Sequence, residues 1–458
     1  MFCHASPRLE RMAGLTLLVA IIASLLILVL PIGGALAAYV AALVWYPDFL
    51  RVSLGTIDFS VGRIVILVLF VRCLTDNRLL KAFHWSRLDT YVTLCMAIQV
   101  GIYCLTRPSM AALENRGGFV MDTWFIYITF RMAMTEKAAL ISFIRWIGVI
   151  LVPLAFLGVM ESVTRWRPFV PLRVFRPWDT PVEAATGVES LRWGLARAVG
   201  PFSHPIMFGA CFLTFLPLVW ALRHDRGQWR HWAYFCAPIL LIGALSSMSS
   251  NSWIMAMAVL FCLVMEKFKP WVKPVLILIV LGCALLQVVS TRPFYHVLAS
   301  RANIVGGVWW QRVVLIDEAV KDFDKWWLLG YGGRDPEWAI RLSGGHTDVN
   351  NEYILAGVEY GMAGIIGLCL VLAAAFHGLV LRYRQTNDEL LHSIYWAFGT
   401  ILVGTMAVWM GVSYFGQPRL LFHAILGILG SLLTVADVGR VPQRHRQLDA
   451  DPAAAPVY

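Results

Sequence analysis

The sequence is poor in charged residues. Only 14% of its 458 residues are Asp, Glu, Lys or Arg, whereas a water-soluble protein of this length needs about a quarter to cover its surface. Apolar residues make up 59% of the chain, and the mean hydropathy is +0.68. This composition excludes a soluble enzyme domain, a nucleic-acid-binding domain and a disordered tail, and it indicates a chain that lies in lipid.

Motifs for metal binding and for disulfides are also missing. The nine cysteines form no CxxC pair, and most lie within or beside apolar runs, so we interpret them as small packing residues. The sequence contains no HExxH motif and no cluster of aspartates, and its histidines are scattered. We therefore predict neither a metal nor a cofactor.

The apolar runs are continuous and long, which favours helices over the ten-residue alternation of barrel strands. They predict an all-α, polytopic membrane protein of about twelve transmembrane helices with a large periplasmic loop. The predicted spans are 13–46, 59–71, 88–106, 119–134, 138–160, 200–221, 232–248, 252–265, 272–289, 353–381, 391–411 and 418–436.

The first run is ambiguous in length. As a helix, 13–46 would measure about 50 Å, which is long for one crossing and barely enough for two. Arg8 and Arg11 favour a cytoplasmic start, so we count one crossing with a break at Pro31, giving twelve spans with both termini in the cytoplasm. Thirteen spans, or a signal peptide ending at Ala37, are the alternatives.

The formal net charge of +10 is explained by topology, because cytoplasmic linkers of membrane proteins carry excess Lys and Arg. The basic short linkers are those around Arg72 to Arg87, Arg131 to Lys137, Arg223 to Arg230, Lys267 to Lys273 and Arg382 to Arg384, with the tail from Arg440. The predicted divisions are 1–160 (N-terminal helices), 161–199 (first outer loop), 200–289 (central helices), 290–352 (large periplasmic loop), 353–436 (C-terminal helices) and 437–458 (cytoplasmic tail).

The first outer loop is rich in arginine although it faces outward. Arginine kept against the charge bias indicates an anionic ligand. The alternative is ordinary loop charge balanced by nearby carboxylates. The arginines are Arg165, Arg167, Arg173, Arg176, Arg192 and Arg197, and the carboxylates are Glu161, Asp179, Glu183 and Glu189.

The large loop contains an amphipathic pattern over Trp309 to Phe323, which predicts a helix lying along the outer membrane surface. Its apolar stripe is Trp309, Val313, Ile316, Val320 and Phe323, with Glu318, Lys321 and Asp322 opposite. Arg312 lies at the edge of the stripe, where it would contact a lipid-linked phosphate or snorkel to the surface.

A polar cluster precedes the next span. His346 is a candidate base, Asp348 could be the base or orient the imidazole, and Asn350 and Asn351 offer amide donors. The alternative is a helix N-cap formed by one of Asp348, Asn350 or Asn351. At the other loop, His204 stands at a helix start broken by Gly200 and Pro205, which leaves amides able to bind an anion.

Three segments together carry a resemblance to a known family. They are Arg197 to Gly209, the serine-rich turn Ser246 to Ser252, and the stretch from Trp309 through Trp327 to Gly332 and on to Asn350 to Tyr353, Gly361 and Gly364. Over about 190–380 the chain resembles the O-antigen ligase and polysaccharide polymerase superfamily of bacterial inner membranes.

The resemblance implies a metal-independent, inverting glycosyltransferase whose donor is a glycan on polyprenyl diphosphate. It implies that Arg197 and Arg312 hold the diphosphate, with Arg301 in reserve, and that a loop histidine is the base. The expected partners are the polyprenyl-diphosphate-linked donor, a glycan acceptor, membrane lipid and other polysaccharide export or assembly proteins, but not nucleic acid.

The chain departs from the ligase pattern at one place. Where ligases have His-Asn, nine residues before the Gly-x-x-Gly at Gly361, this chain has Asn350 and Asn351. Either His346 or Asp348 takes the base role, or the acceptor is positioned without a strong base. The difference favours a polymerase over a lipid A-core ligase. A transporter or flippase of a lipid-linked solute is the alternative from another class, although the spans show no convincing repeat and few central charges.

Overall fold

The computed structural model describes residues 7–54, 57–175, 191–225, 227, 229–301, 304, 309–338 and 349–434. Within these residues the fold is all-α, with a single β-hairpin of β1 (Arg51–Leu54) and β2 (Ile57–Ser60). The helices are α1 (Pro7–Val29), α2 (Ile32–Trp45), α3 (Val61–Thr75), α4 (Asn77–Ala82), α5 (Arg87–Thr106), α6 (Met110–Val120), α7 (Ile126–Ala133), α8 (Lys137–Thr164), α9 (Pro205–Ala221), α10 (Trp229–Leu245), α11 (Ser250–Met265), α12 (Val272–Val289), α13 (Phe294–Arg301), α14 (Trp309–Lys321), α15 (Phe323–Trp326), α16 (Glu352–Gln385), α17 (Glu389–Trp409) and α18 (Gln417–Thr434).

In the described part of the chain, six helical stretches are long and apolar enough to cross a membrane. They are Arg87–Thr106, Lys137–Thr164, Pro205–His224, Lys269–Val289, Glu352–Gln385 and Glu389–Trp409, and shorter apolar helices cover Ala13–Val29, Ile32–Trp45 and Ser250–Met265. These helices agree with a multi-pass membrane protein. α9 is central, since 94% of its apolar window is buried.

The basic linkers lie at one end of the bundle, which we call the tail end because α18 ends there at Thr434. Ion pairs and hydrogen bonds connect the linkers to one another and to the ends of α7 and α18. The contacts are Arg131 to Asp89 (3.1 Å) and Ser431 (3.3 Å), Arg223 to Glu266 (2.6 Å) and Ser393 (3.2 Å), and Lys137 to Asp388. The segment before α9, the turn between α10 and α11 and the large loop lie at the opposite end, the loop end.

The start of the chain folds differently from our expectation. The Thr16 hydroxyl contacts the Tyr46 hydroxyl at 2.8 Å, and Arg72 at the tail end donates to the Leu30 carbonyl at 2.8 Å. Helices α1 and α2 are therefore antiparallel, turning at Pro31. The structure thus has two antiparallel helices where we predicted one crossing of 13–46 with a break at Pro31, and α1 begins at the loop end whereas α18 ends at the tail end.

Glycine allows this hairpin to pack closely on α8. A Cβ atom on Gly33 would lie 2.3 Å from the Ala139 carbonyl oxygen, so only glycine permits this approach. Packing against α8 and α1 buries most of α2, and hydropathy and length do not contain this packing term.

Candidate functional site

The loop between α8 and α9 is fixed by backbone hydrogen bonds to the end of α8. The Glu161 carboxylate is 1% exposed and accepts the amides of Val199 and Gly200, both at 2.9 Å. Ser162 exchanges two hydrogen bonds with Ala196, at 2.9 and 2.8 Å. Because a buried carboxylate that accepts two amides is strongly oriented, the backbone on both sides of Arg197 is held in place.

Four arginines converge at the loop end, and we call them the arginine cluster: Arg167, Arg192, Arg197 and Arg312. Arg197 is 6% exposed. Burial lowers the pKa of its guanidinium to about 9. The positive charges of the other three contribute to the same shift: Arg192, Arg167 and Arg312.

Arg312 joins the cluster from α14, which belongs to the large loop. Burial, and then the charge of Arg192, lowers the pKa of Arg312 to about 10. Like charges raise the free energy of their common charged state, and an anion bound among them lowers it. The structure thus brings together the two arginines, Arg197 and Arg312, that we assigned to a diphosphate.

Arg192 and Arg167 also support the loop backbone. Arg192 donates to the Met248 carbonyl at 3.1 Å, and Arg167 donates to the Arg197 carbonyl at 3.3 Å. Neither residue was among the binding residues that we named. Their signal was present in the sequence, as members of the arginine-rich outer loop.

The serine-rich turn Ser246–Ser252 borders the cluster between α10 and α11. Met248 has a left-handed backbone, with a φ of 44°, and its carbonyl points to Arg192. Ser247 Oγ and Asn251 Nδ2 are buried without a hydrogen-bond partner among the described residues. Since buried polar atoms are ordinarily paired, the turn presents polar groups suited to a ligand or water.

His204 and Asn351 both serve as helix caps. His204 Nδ1 accepts the Ile206 amide at 3.1 Å at the start of α9, which leaves Nε2 to carry the ring hydrogen. Asn351 is 3% exposed, and its Oδ1 accepts the amides of Tyr353 and Ile354. The cap interpretation is confirmed for Asn351, while Asn350 is exposed beside it.

The other predicted site residues do not join the cluster in the described structure. Arg301 is exposed at the end of α13, and no contact described for it reaches Arg197 or Arg312. His346 and Asp348 lie outside the described residues, so their roles stay predictions.

Helix α14 forms where the pattern predicted it, but only part of the predicted apolar stripe is buried: Val313 is 7% exposed. Val320 and Phe323 of the predicted stripe are 66% and 46% exposed, whereas Glu318 and Asp322 are nearly buried. Asp322 accepts hydrogen bonds from the Trp338 indole (2.9 Å) and the Tyr331 hydroxyl (3.2 Å). The predicted polar side is wrong for Glu318 and Asp322, because the fold buries both carboxylates and distant aromatic donors satisfy that of Asp322. Lys321 is exposed as predicted.

The segment after α14 packs against α16 at Gly361. Gly361 has φ 66° and ψ −167°, and a Cβ there would lie 2.4 Å from the Leu328 carbonyl oxygen. The kink lets the Met362 amide reach the Trp327 carbonyl at 2.7 Å. This contact fixes the end of the outer segment that carries Arg312.

The chemistry of the cluster is suited to an anion. Its guanidiniums offer forked donors suited to phosphate oxygens, and among the described residues no group of His, Cys, Asp or Glu could hold a metal ion. No protein-family model matches the chain, and no curated protein matches it.

Proposed function

We propose that the chain is an inner-membrane glycosyltransferase that polymerises oligosaccharide units carried on polyprenyl diphosphate. The observation that carries the proposal is the convergence of Arg192, Arg197 and Arg312 at the loop end. A departing diphosphate gains negative charge in the transition state, and fixed guanidiniums stabilise that charge.

The proposed topology places the tail end in the cytoplasm and the loop end in the periplasm, because the short basic linkers lie at the tail end. With α1 and α2 as two crossings, the count becomes thirteen, the alternative to twelve, and α1 begins in the periplasm. The arginine cluster then faces the compartment in which exported glycans are joined.

His346 and Asp348 are the proposed bases, since an acceptor hydroxyl must lose its proton as it attacks the anomeric carbon. Asn350 cannot replace them, because an amide accepts no proton near neutral pH. Asn351 is committed to its cap and to the Met410 carbonyl at 3.1 Å.

Two other functions remain as alternatives. A lipid A-core ligase would use the same cluster with a different acceptor. A transporter gains support from the charged residues Arg116, Glu352 and Arg419 inside the outer half of the bundle, since charges within spans often mark transport pathways.

The test is an assay of purified protein in lipid nanodiscs with polyprenyl-diphosphate oligosaccharide, alone and with lipid A-core. A ladder of products without the second lipid supports the polymerase, and a single conjugate that requires it supports the ligase. Absence of both products, with movement of the substrate between leaflets, supports the transporter.

Arg197→Ala and Arg312→Ala should each lower polymer formation at least a hundredfold, because each removes a charge that the leaving group needs. Arg334→Ala is the matched control, since Arg334 is an exposed arginine of the same outer segment. Normal polymer length in both cluster variants would remove the diphosphate assignment.

A further inference from the structure

A second polar site lies inside the bundle, in a cavity of about 160 Å³ between α5, α6, α16, α17 and α18. We call it the inner cavity. It is smaller than the roughly 300–1,000 Å³ of typical ligand sites, which favours one ring-sized group over a whole oligosaccharide.

Ionisable and amide side chains line the cavity toward the loop end. They come from four helices and are Gln99, Arg116, Glu352, Glu359, Arg419 and His423. Deeper, the lining is apolar, with Val92, Leu368, Val371 and Leu426. Because polar groups within a membrane protein are costly to bury, this concentration on one cavity points to a ligand.

The backbone of Tyr414 binds two of the charged side chains, those of Glu352 and Arg419. The Tyr414 amide donates to Glu352 at 2.9 Å, and Arg419 donates to the Tyr414 carbonyl at 2.9 Å. Arg116 donates to the Tyr360 hydroxyl at 2.8 Å and stacks over the Tyr103 ring at 3.6 Å. The cavity walls are therefore preorganised.

Other groups facing the cavity have hydrogen-bonding capacity to spare. Among the described residues, no group donates to the Glu359 carboxylate, and the Gln99 amide makes no hydrogen bond. His423 Nδ1 lies 2.8 Å from the Arg419 carbonyl, which only accepts, so Nε2 is left as an acceptor. The cavity thus offers a carboxylate, an amide and an imidazole nitrogen to a ligand.

The charge balance decides what kind of ligand fits. Two arginines and two glutamates line the inner cavity, so its formal charge is zero with His423 neutral. A phosphate would gain from Arg116 and Arg419 but be repelled by Glu352 and Glu359. A neutral ligand rich in hydroxyls can donate to the carboxylates and accept from the guanidiniums at once.

Aromatic rings complete the match. Phe119, Trp409 and Phe422 line the same cavity, and aromatic faces pack against apolar ligand surfaces. A sugar ring combines C–H faces with hydroxyl edges, so it uses both parts of this lining. An inorganic anion uses neither the rings nor the carboxylates.

The inner cavity is linked to the arginine cluster by continuous contacts. Asn351, next to Glu352, donates to the Met410 carbonyl at 3.1 Å. Gly411 packs on Asn251, where a Cβ would lie 2.5 Å from the side-chain oxygen. Asn251 belongs to the serine-rich turn whose Met248 carbonyl binds Arg192.

We infer that the inner cavity binds one neutral sugar residue, and that this residue belongs to the acceptor glycan. Only the assignment to the acceptor rests on the proposed function. Glu359 and Gln99 hydrogen-bond the sugar hydroxyls, and the aromatic rings stack on its C–H face.

The experiment measures sugar binding by saturation-transfer NMR on the full chain in nanodiscs prepared without sugar-based detergent. The probes are glucose, galactose, mannose, rhamnose, N-acetylglucosamine and glucose 1-phosphate. At least one neutral sugar should bind saturably. Glu359→Gln and Gln99→Leu should each weaken the affinity for that sugar about tenfold, the loss expected for one hydrogen bond to a charged or buried group. Glu389→Gln, an exposed glutamate at the tail end, is the matched control.

Each outcome separates this inference from the proposed function. Arg197→Ala should abolish polymer formation and leave sugar binding unchanged. Sugar binding that depends on Glu359 in a protein that makes no polymer would keep the cavity inference and remove the proposed function. Failure of every neutral sugar to bind, tighter binding of glucose 1-phosphate, or unchanged binding in both cavity variants would overturn the inference.

Discussion

Replacing Glu161 tests whether the loop that carries Arg197 depends on one buried carboxylate. Glu161→Ala removes the acceptor of the Val199 and Gly200 amides, both bonded at 2.9 Å. A buried donor left unsatisfied costs about 1–3 kcal/mol, so two amides predict a loss of about 2–6 kcal/mol in unfolding free energy. Glu161→Gln keeps an oxygen but loses the charge, and should cost about 1–2 kcal/mol.

The assay is unfolding in mixed micelles by increasing SDS, read by tryptophan fluorescence, together with donor kinetics. Thr164→Ala is the control on the same helix, because its exposed hydroxyl bonds only to close neighbours in the chain, donating to the Met160 carbonyl and accepting from the Trp166 amide. We expect the KM for the donor to rise in the order wild type, Glu161→Gln, Glu161→Ala. Equal unfolding midpoints for wild type and Glu161→Ala would refute the reasoning.

Two further predictions concern the outer segment and pH. Gly361→Ala should destabilise the chain by about 2–4 kcal/mol, since the φ of 66° disfavours a side chain and the added Cβ would lie 2.4 Å from the Leu328 carbonyl oxygen. Gly101→Ala, with nothing within 4 Å of the added Cβ, should be neutral or stabilising. Thermal unfolding of both variants checks the contrast. Binding of a short prenyl diphosphate should weaken as pH rises through about 9 and then about 10, because the lowered pKa values of Arg197 and Arg312 let these two guanidiniums lose their charge before other arginines do. Calorimetric titration from pH 7 to 10.5 should show that Arg197→Ala lacks the earlier step. A flat profile in the wild type would count against the assignment.

Local sequence rules predicted much of the bundle. Long apolar runs predicted helices such as α8 and α9 because each satisfies its own backbone in lipid. The charge rule grouped linkers that do share the tail end, such as those of Arg131 and Arg223. The arginine-rich loop and the amphipathic pattern at Arg312 pointed to a common site because both were anomalies at the same predicted face.

Features set by tertiary contacts were not predictable in this way. The α1–α2 hairpin depends on close packing at Gly33, not on hydropathy or length. The buried side of α14 depends on Trp338, which follows Asp322 after a turn. Glu161 looked like a loop carboxylate balancing arginine charge, since the sequence does not show that its acceptor oxygen faces two amides.

The inner cavity was hidden for a related reason. Glu352 and Glu359 lie seven residues apart at the start of one apolar run, and Arg116 and Arg419 belong to segments far from them in the sequence. Each charge alone resembles an ordinary helix-end residue. Their role follows from the fold, which brings the helices that carry these charges around one cavity.

The two polar sites differ in charge, and that difference fits a transfer reaction. The arginine cluster gathers like charges, so it favours an anion whose charge grows as a bond breaks. The charges lining the inner cavity cancel, so a neutral sugar can bind there without a counter-ion. A transporter of a lipid-linked solute would need the positive site only for binding and would gain from releasing the anion easily. Glu161 instead fixes the backbone beside Arg197, and a preorganised donor of this kind is what stabilisation of a transition state requires.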